Sequence, residues 1–145
     1  MEDVIRVASR ESRKVNSYRD LRVWQEGRIL VKEAYRAVKA FPKEEIYGLT
    51  SQIKRSAVSI PSNIAEGSSR RSTQEFLRFI NISTGSLAEL ETQLILANDL
   101  EFLDSDTLEK LLQRTDNISR MSQGLYDALL AKTTRLATRD SNHGE

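Results

Sequence analysis

The chain has 145 residues, 39% hydrophobic and 30% charged, with two prolines and no cysteine. That length fits one domain able to bury roughly two-thirds of the surface its unfolded chain exposes. The missing cysteine excludes disulfides, thiolate catalysis and cysteine-ligated metals, and suits a reducing cytoplasm. The single histidine, His143, stands in a polar C-terminal stretch, so the helices offer no imidazole. No run of about eighteen apolar residues exists to span a bilayer, and Met1-Glu2-Asp3 opens without the apolar segment of a secretion signal.

Charge is unevenly spread along the chain. Residues 1–80 carry sixteen Lys/Arg against ten Asp/Glu, whereas residues 81–106 carry six acids and no base. A net +1 therefore conceals a basic region and an acidic one, and each can meet a partner of opposite sign.

In chain order, residues 1–16 are mixed and polar and predict a loose N-terminal arm. Residues 17–132 predict a four-helix bundle. Val23, Gly27, Leu30, Ala34, Val38 and Phe41 recur at helical spacing, and Trp24, Val31 and Tyr35 widen the same buried face. Phe41-Pro42 ends this first helix.

A second helix starts near Glu44 or Thr50, with the stripe Leu49, Ile53, Ser56/Ala57, Ile60 and Ile64. Pro61 predicts a kink rather than a break, because the apolar period continues through it. Small residues on this helix permit a close neighbour, and Gly67 is placed where a left-handed C-terminal residue would end it.

Ser72 and Glu75 form a candidate capping box for the third helix, whose seam is Phe76, Ile80, Ser83, Leu87, Leu90, Leu94 and Ala97. Ser105 or Asp106 caps the fourth, with Leu108, Leu111, Thr115, Ile118, Ser122, Leu125 and Leu129 on one face. Residues 133–145 predict a polar, frayed tail. The resulting class is all-α, an antiparallel up-down-up-down bundle.

Little in this pattern points to catalysis. A di-iron carboxylate site needs histidines on the helices, and none is there. Glu89 and Glu91 stand two apart and so diverge around one helix; one is expected at a helix interface against Arg55 or Arg78. The serines lack a base, and Gly67 and Gly85 stand alone rather than in a phosphate-cradling loop. Asn63, Glu66 and Gly67 read as a hydrogen-bonded helix terminus. The expectation is a non-enzyme with no metal and no cofactor.

The cations carry more information. Lys54 and Arg55 lie on the second helix, Arg70 and Arg71 in the next turn, and Arg78 one turn into the third. A hairpin brings the last three to one end, beside exposed helix amides suited to phosphate. Arg22 and Arg28 add to this from the first helix. Trp24 and Tyr35 read as core, so stacking on bases is not expected. A solvated face is the plain alternative for any one of these cations.

The segments YRDLRVW (18–24), FPKEEIYGLTSQIKRSAVSIPSNIAEG (41–67), EFLRF (75–79) and GSLAELETQ (85–93) resemble the four-helix-bundle family encoded in 23S ribosomal RNA intervening sequences. The resemblance runs from about residue 18 to 130, and its motif positions include Trp24, Pro61, Asn63, Glu66, Gly67, Glu75, Phe76, Ser86, Glu89 and Glu91. That family is similar to the accessory variability determinant protein of diversity-generating retroelements. The resemblance implies a ring-like homopentamer, RNA or DNA binding, and a reverse transcriptase or other nucleic-acid enzyme as partner. Independently, Leu77, Phe79, Ile82, Ile95 and Leu96 lie off the third helix's seam. Extra apolar positions of this kind favour burial against a second subunit. No membrane partner is expected. An RNA-binding ring is thus one expectation, and a scaffold for another protein is the other.

Overall fold

A computed structural model describes residues 17–143; the expected arm over 1–16 lies outside them. Four helices make up the described residues: α1 (Arg22–Val38), α2 (Leu49–Ser68), α3 (Thr73–Asp99) and α4 (Ser105–Asn142). Short 3-10 turns at Tyr18–Asp20 and Lys43–Glu45 flank α1. No strand occurs among the described residues. Each helix packs on the next, and α4 returns to α1.

The core follows from helical spacing. Leu30 and Ala34 of α1, Ile53, Ala57, Ile60 and Ile64 of α2, Leu90 and Leu94 of α3 and Ile118 of α4 are fully buried. Each helix therefore removes one apolar stripe from water, the dominant favourable term in folding. Ser83 and Thr115 occupy seam positions too. Their hydroxyls are buried but satisfied, Ser83 donating to the Ile60 carbonyl at 3.0 Å and Thr115 to Leu112 at 2.9 Å.

Polar contacts continue between α2 and α3. Ser56 donates to Gln93, and Ser59 and Ser86 share a hydrogen bond. As residue numbers rise along α2 they fall along α3: 56 meets 93, 59 meets 86, 60 meets 83 and 67 meets 79.

α2 begins at Leu49, next to the expected Thr50, because the Glu45 carboxylate accepts from the Leu49 amide at 3.0 Å, and the helix then runs through Pro61 without a break, as expected. Other boundaries differ from the sequence reading. Asp104, rather than Ser105 or Asp106, caps α4. Its carboxylate accepts from the Thr107 amide at 2.7 Å and the Thr107 hydroxyl at 2.9 Å, bonds that hold the carboxyl below its usual range. Ser72 accepts from the Glu75 amide, but Glu75 turns its carboxylate to Arg78, so only half of the capping box forms. α4 continues to Asn142, well past the point where fraying was expected.

Glycine and the left-handed turn also part company. No described glycine has positive φ, and Gly67 lies within α2. Its role is close packing: a Cβ there would sit 2.6 Å from Phe79 Cβ. The left-handed residue is Glu101, at φ 64°, just after α3. The Phe102 amide reaches back to the Ala97 carbonyl at 2.8 Å and the Glu101 amide to the Asn98 carbonyl at 3.0 Å, so the turn is a Schellman closure built on a glutamate, with the Asn98 side chain donating to the Leu103 carbonyl beside it. A left-handed L-residue costs about 1–2 kcal/mol, most of which glycine avoids. Glu101→Gly is accordingly expected to stabilise the fold by about 1 kcal/mol in chemical denaturation.

Candidate functional site

The seven predicted cations do not form one cluster. Arg70 and Arg78 do meet at the α2–α3 turn, where both guanidinium groups lie over the ring of Phe79, at 5.2 and 4.7 Å from its centroid. Each is also paired, Arg70 with Glu66 at 2.9 Å and Arg78 with Glu75 at 3.2 Å. Two of the three positive charges at this end are thereby answered within the chain. Arg71 is exposed, as are Arg55 on α2 and Arg22 at the start of α1.

Arg28 and Lys54 belong to a different place, the outer groove between α1 and α2. Gly27 lets the helices approach here, since a Cβ on it would stand 3.2 Å from Pro61. Above that contact a depression of about 370 Å³ is lined by Trp24, Arg28, Val31, Val58, Pro61, Ser62 and Ala65. Farther along both helices a second, of about 240 Å³, includes Tyr35, Lys39, Lys43, Ile46 and Lys54. Arg28 lies over the Trp24 ring at 5.1 Å and Lys54 over Tyr35 at 5.0 Å. Four cations line these depressions beside the rings of Trp24, Tyr35 and the buried Phe41, and no carboxylate does.

The assignment of Tyr35 to the core is corrected here. It is 41% exposed, and Trp24 is half-buried against Tyr18. Aromatic surface does therefore accompany the basic residues. The reason is geometric: a stripe wider than the core contact spills into the groove beside it. Leu77 and Phe79 are corrected the other way, being buried within the subunit, while Ile82, Ile95 and Leu96 remain exposed.

The groove between α1 and α4 is larger, about 740 Å³, but mixes Glu33 and Asp104 with Arg36, Lys110 and Arg114. Arg114 bridges two carboxylates of α1, donating from Nε to Glu33 at 2.7 Å and from Nη1 to Glu26 at 2.9 Å. The hydrogen bond to Glu33 is the main cause of a guanidinium pKa raised above its already high value; partial burial opposes it. The sequence reading missed this bridge, whose only trace was Glu26 and Glu33 two turns apart on α1. Arg114→Ala leaves two half-buried carboxylates facing each other and should cost about 1–2 kcal/mol, between exposed and buried ion pairs. Arg114→Lys should recover less than half in the same urea melts, because an ammonium cannot reproduce the guanidinium fork.

The remaining motif residues are structural in their contacts. Asn63 donates back to the Ser59 carbonyl and hydroxyl, Glu66 turns to Arg70 and Gly67 to Phe79, so the expected terminal cluster separates. Phe76 packs on the core, and Ser86 donates to the Ile82 carbonyl. Glu89 is exposed and Glu91 half-buried. Among the described residues neither forms an ion pair, and Arg78 takes Glu75 instead. No group of three or more potential metal ligands gathers among the described residues, and no described helix is long and apolar enough to cross a membrane.

The family profile described as 23S rRNA-intervening sequence protein matches residues 19–124. No curated protein matches the chain.

Proposed function

This chain belongs to the 23S rRNA-intervening sequence protein family, and from that premise we propose that it is a cytoplasmic, non-enzymatic bundle that binds RNA along the α1–α2 groove. The observation that carries this reading is the acid-free lining of that groove: Arg28, Lys39, Lys43 and Lys54 beside Trp24 and Tyr35. Phosphates supply the counter-charge such a surface lacks, and exposed aromatic and guanidinium planes are what unstacked bases lie against. The α2–α3 turn is a poorer candidate, since Glu66 and Glu75 already engage two of its arginines.

The fold proposed is the antiparallel up-down-up-down bundle. Falling register between α2 and α3 supports it, as does the pairing of 27 with 61 and 35 with 54 between α1 and α2. Self-association into a homopentameric ring is the quaternary proposal, supported by Ile82, Ile95 and Leu96 standing exposed along α3. Light scattering that reports a monomer at micromolar concentration removes it.

Titration of an unstructured RNA oligonucleotide against salt tests the main reading. Each phosphate contact on a single strand contributes about −0.7 to the slope of log affinity against log salt. The four groove cations by themselves contribute about −3 to that slope. Affinity that ignores salt, or no binding at about 50 mM salt, defeats the RNA reading. In that event the same exposed α3 residues favour the second one, a scaffold for a protein partner such as a reverse transcriptase. Loss of that partner with Ile82→Asp and Leu96→Asp, in protein that binds no RNA, supports it.

A further inference from the structure

α4 outruns the bundle. Leu129 is the last of its residues to pack on the core, yet the helix continues to Asn142. Every residue from Leu130 to His143 is exposed except the half-buried Thr133. At about 1.5 Å per residue this leaves some 20 Å of helix with no neighbouring helix among the described residues.

Charge on this free end is ordered. Lys132, Arg135 and Arg139 follow one another at spacings of three and four, which places them on one flank. Lys132 is eighteen residues after Arg114, five whole turns of about 3.6, and so lies on the same line of the helix. Within the bundle that line faces α1, where Glu26 and Glu33 satisfy Arg114. Beyond α1 the line stays cationic, and no described carboxylate pairs with its three charges. Asp140, the one acid among the described residues after Leu129, lies about a quarter-turn away from Arg139.

We infer that the free end of α4 is a second phosphate-contacting element, a basic flank for the backbone of the RNA held in the groove. The inference rests on the RNA reading above. It extends that reading to residues outside the family match, which ends at residue 124. The chain's own first sixteen residues are a poor occupant, because Arg6, Arg10, Arg13 and Lys14 outnumber Glu2, Asp3 and Glu11.

Thr133, Thr134, Thr138, Ser141 and Asn142 are weak helix formers, so this end is marginal without a partner and gains order when phosphates neutralise its flank.

Hydrogen exchange and salt titration of the full-length protein test it together. Amides of residues 131–142 should exchange fast in the free protein and slow about ten-fold with single-stranded RNA. The triple variant Lys132→Gln, Arg135→Gln, Arg139→Gln should flatten the salt slope by about 2, with groove protection retained. RNA binding by the wild type with the same slope in the variant overturns this inference and leaves the groove reading standing. No RNA binding by the wild type overturns both. Protection that rises with protein concentration alone, or appears with anionic vesicles but not RNA, assigns the flank to another occupant and also overturns it.

Discussion

Reversing Arg28, Lys39 and Lys54 to glutamate together should weaken RNA binding about 100-fold near physiological salt and flatten the salt slope by about 2. All three line the acid-free groove, and two of them lie over its rings, the half-buried Trp24 and the exposed Tyr35. The change removes three phosphate contacts and adds three repulsions, and neither effect depends on base sequence. Arg70→Gln with Arg78→Gln is the matched control. Those side chains are engaged by Glu66 and Glu75, so the double variant should shift affinity by no more than about three-fold. Fluorescence anisotropy across a salt series separates the two sites. Loss from the Arg70/Arg78 variant with none from the groove variant would place the interface at the α2–α3 turn instead. The groove positions are solvent-facing enough that melting temperature should move little, which keeps a binding loss from being mistaken for unfolding.

Gly67→Ala and Gly85→Ala should move stability in opposite directions. Both glycines lie inside helices, and neither has positive φ. Alanine therefore gains up to about 1 kcal/mol of helix propensity at either site. At Gly85 no heavy atom lies within 4 Å of the added methyl group, so the gain is realised. At Gly67 the methyl would stand 2.6 Å from Phe79 Cβ and 3.1 Å from Phe76 Cδ1. A Cβ cannot swing aside as a side-chain tip can, so α2 and α3 must separate. Overpacking of that kind costs typically about 1–3 kcal/mol, leaving a net loss of up to about 2. Thermal unfolding should show Gly67→Ala melting several degrees lower and Gly85→Ala slightly higher, at about 3 °C per kcal/mol for a domain of this size. Tolerance of Gly67→Ala would mean the α2–α3 contact is looser than its atoms indicate.

The two glycines show where sequence reasoning succeeds and where it stops. Residue spacing alone identified the stripes of all four helices, and nearly every seam position proved buried. Leu30, Ile60, Leu90 and Ile118 are examples. Spacing works because a helix repeats every 3.6 residues whatever it packs against. It could not say that Gly67 makes room for Phe79 while Glu101 takes the left-handed turn, since both facts depend on what a neighbouring chain segment requires.

The candidate site divides along the same line. Residue identity marked Arg28, Lys54, Arg70 and Arg78 as interesting, but their standing depends on neighbours distant in sequence or turned toward them. Arg70 and Arg78 lose their apparent freedom to Glu66, Glu75 and the face of Phe79. Lys43 gains a place because the α1–α2 connection folds it beside Lys54 and Tyr35. Arg114 finds Glu33 across 81 residues of chain. Sequence determined an all-helical chain, its family and the inventory of charge, because periodicity and composition are local properties. Tertiary structure decided which charges are already answered, which rings are bare and how far α4 stands clear, because pairing and exposure are set by the distance between side chains on different helices.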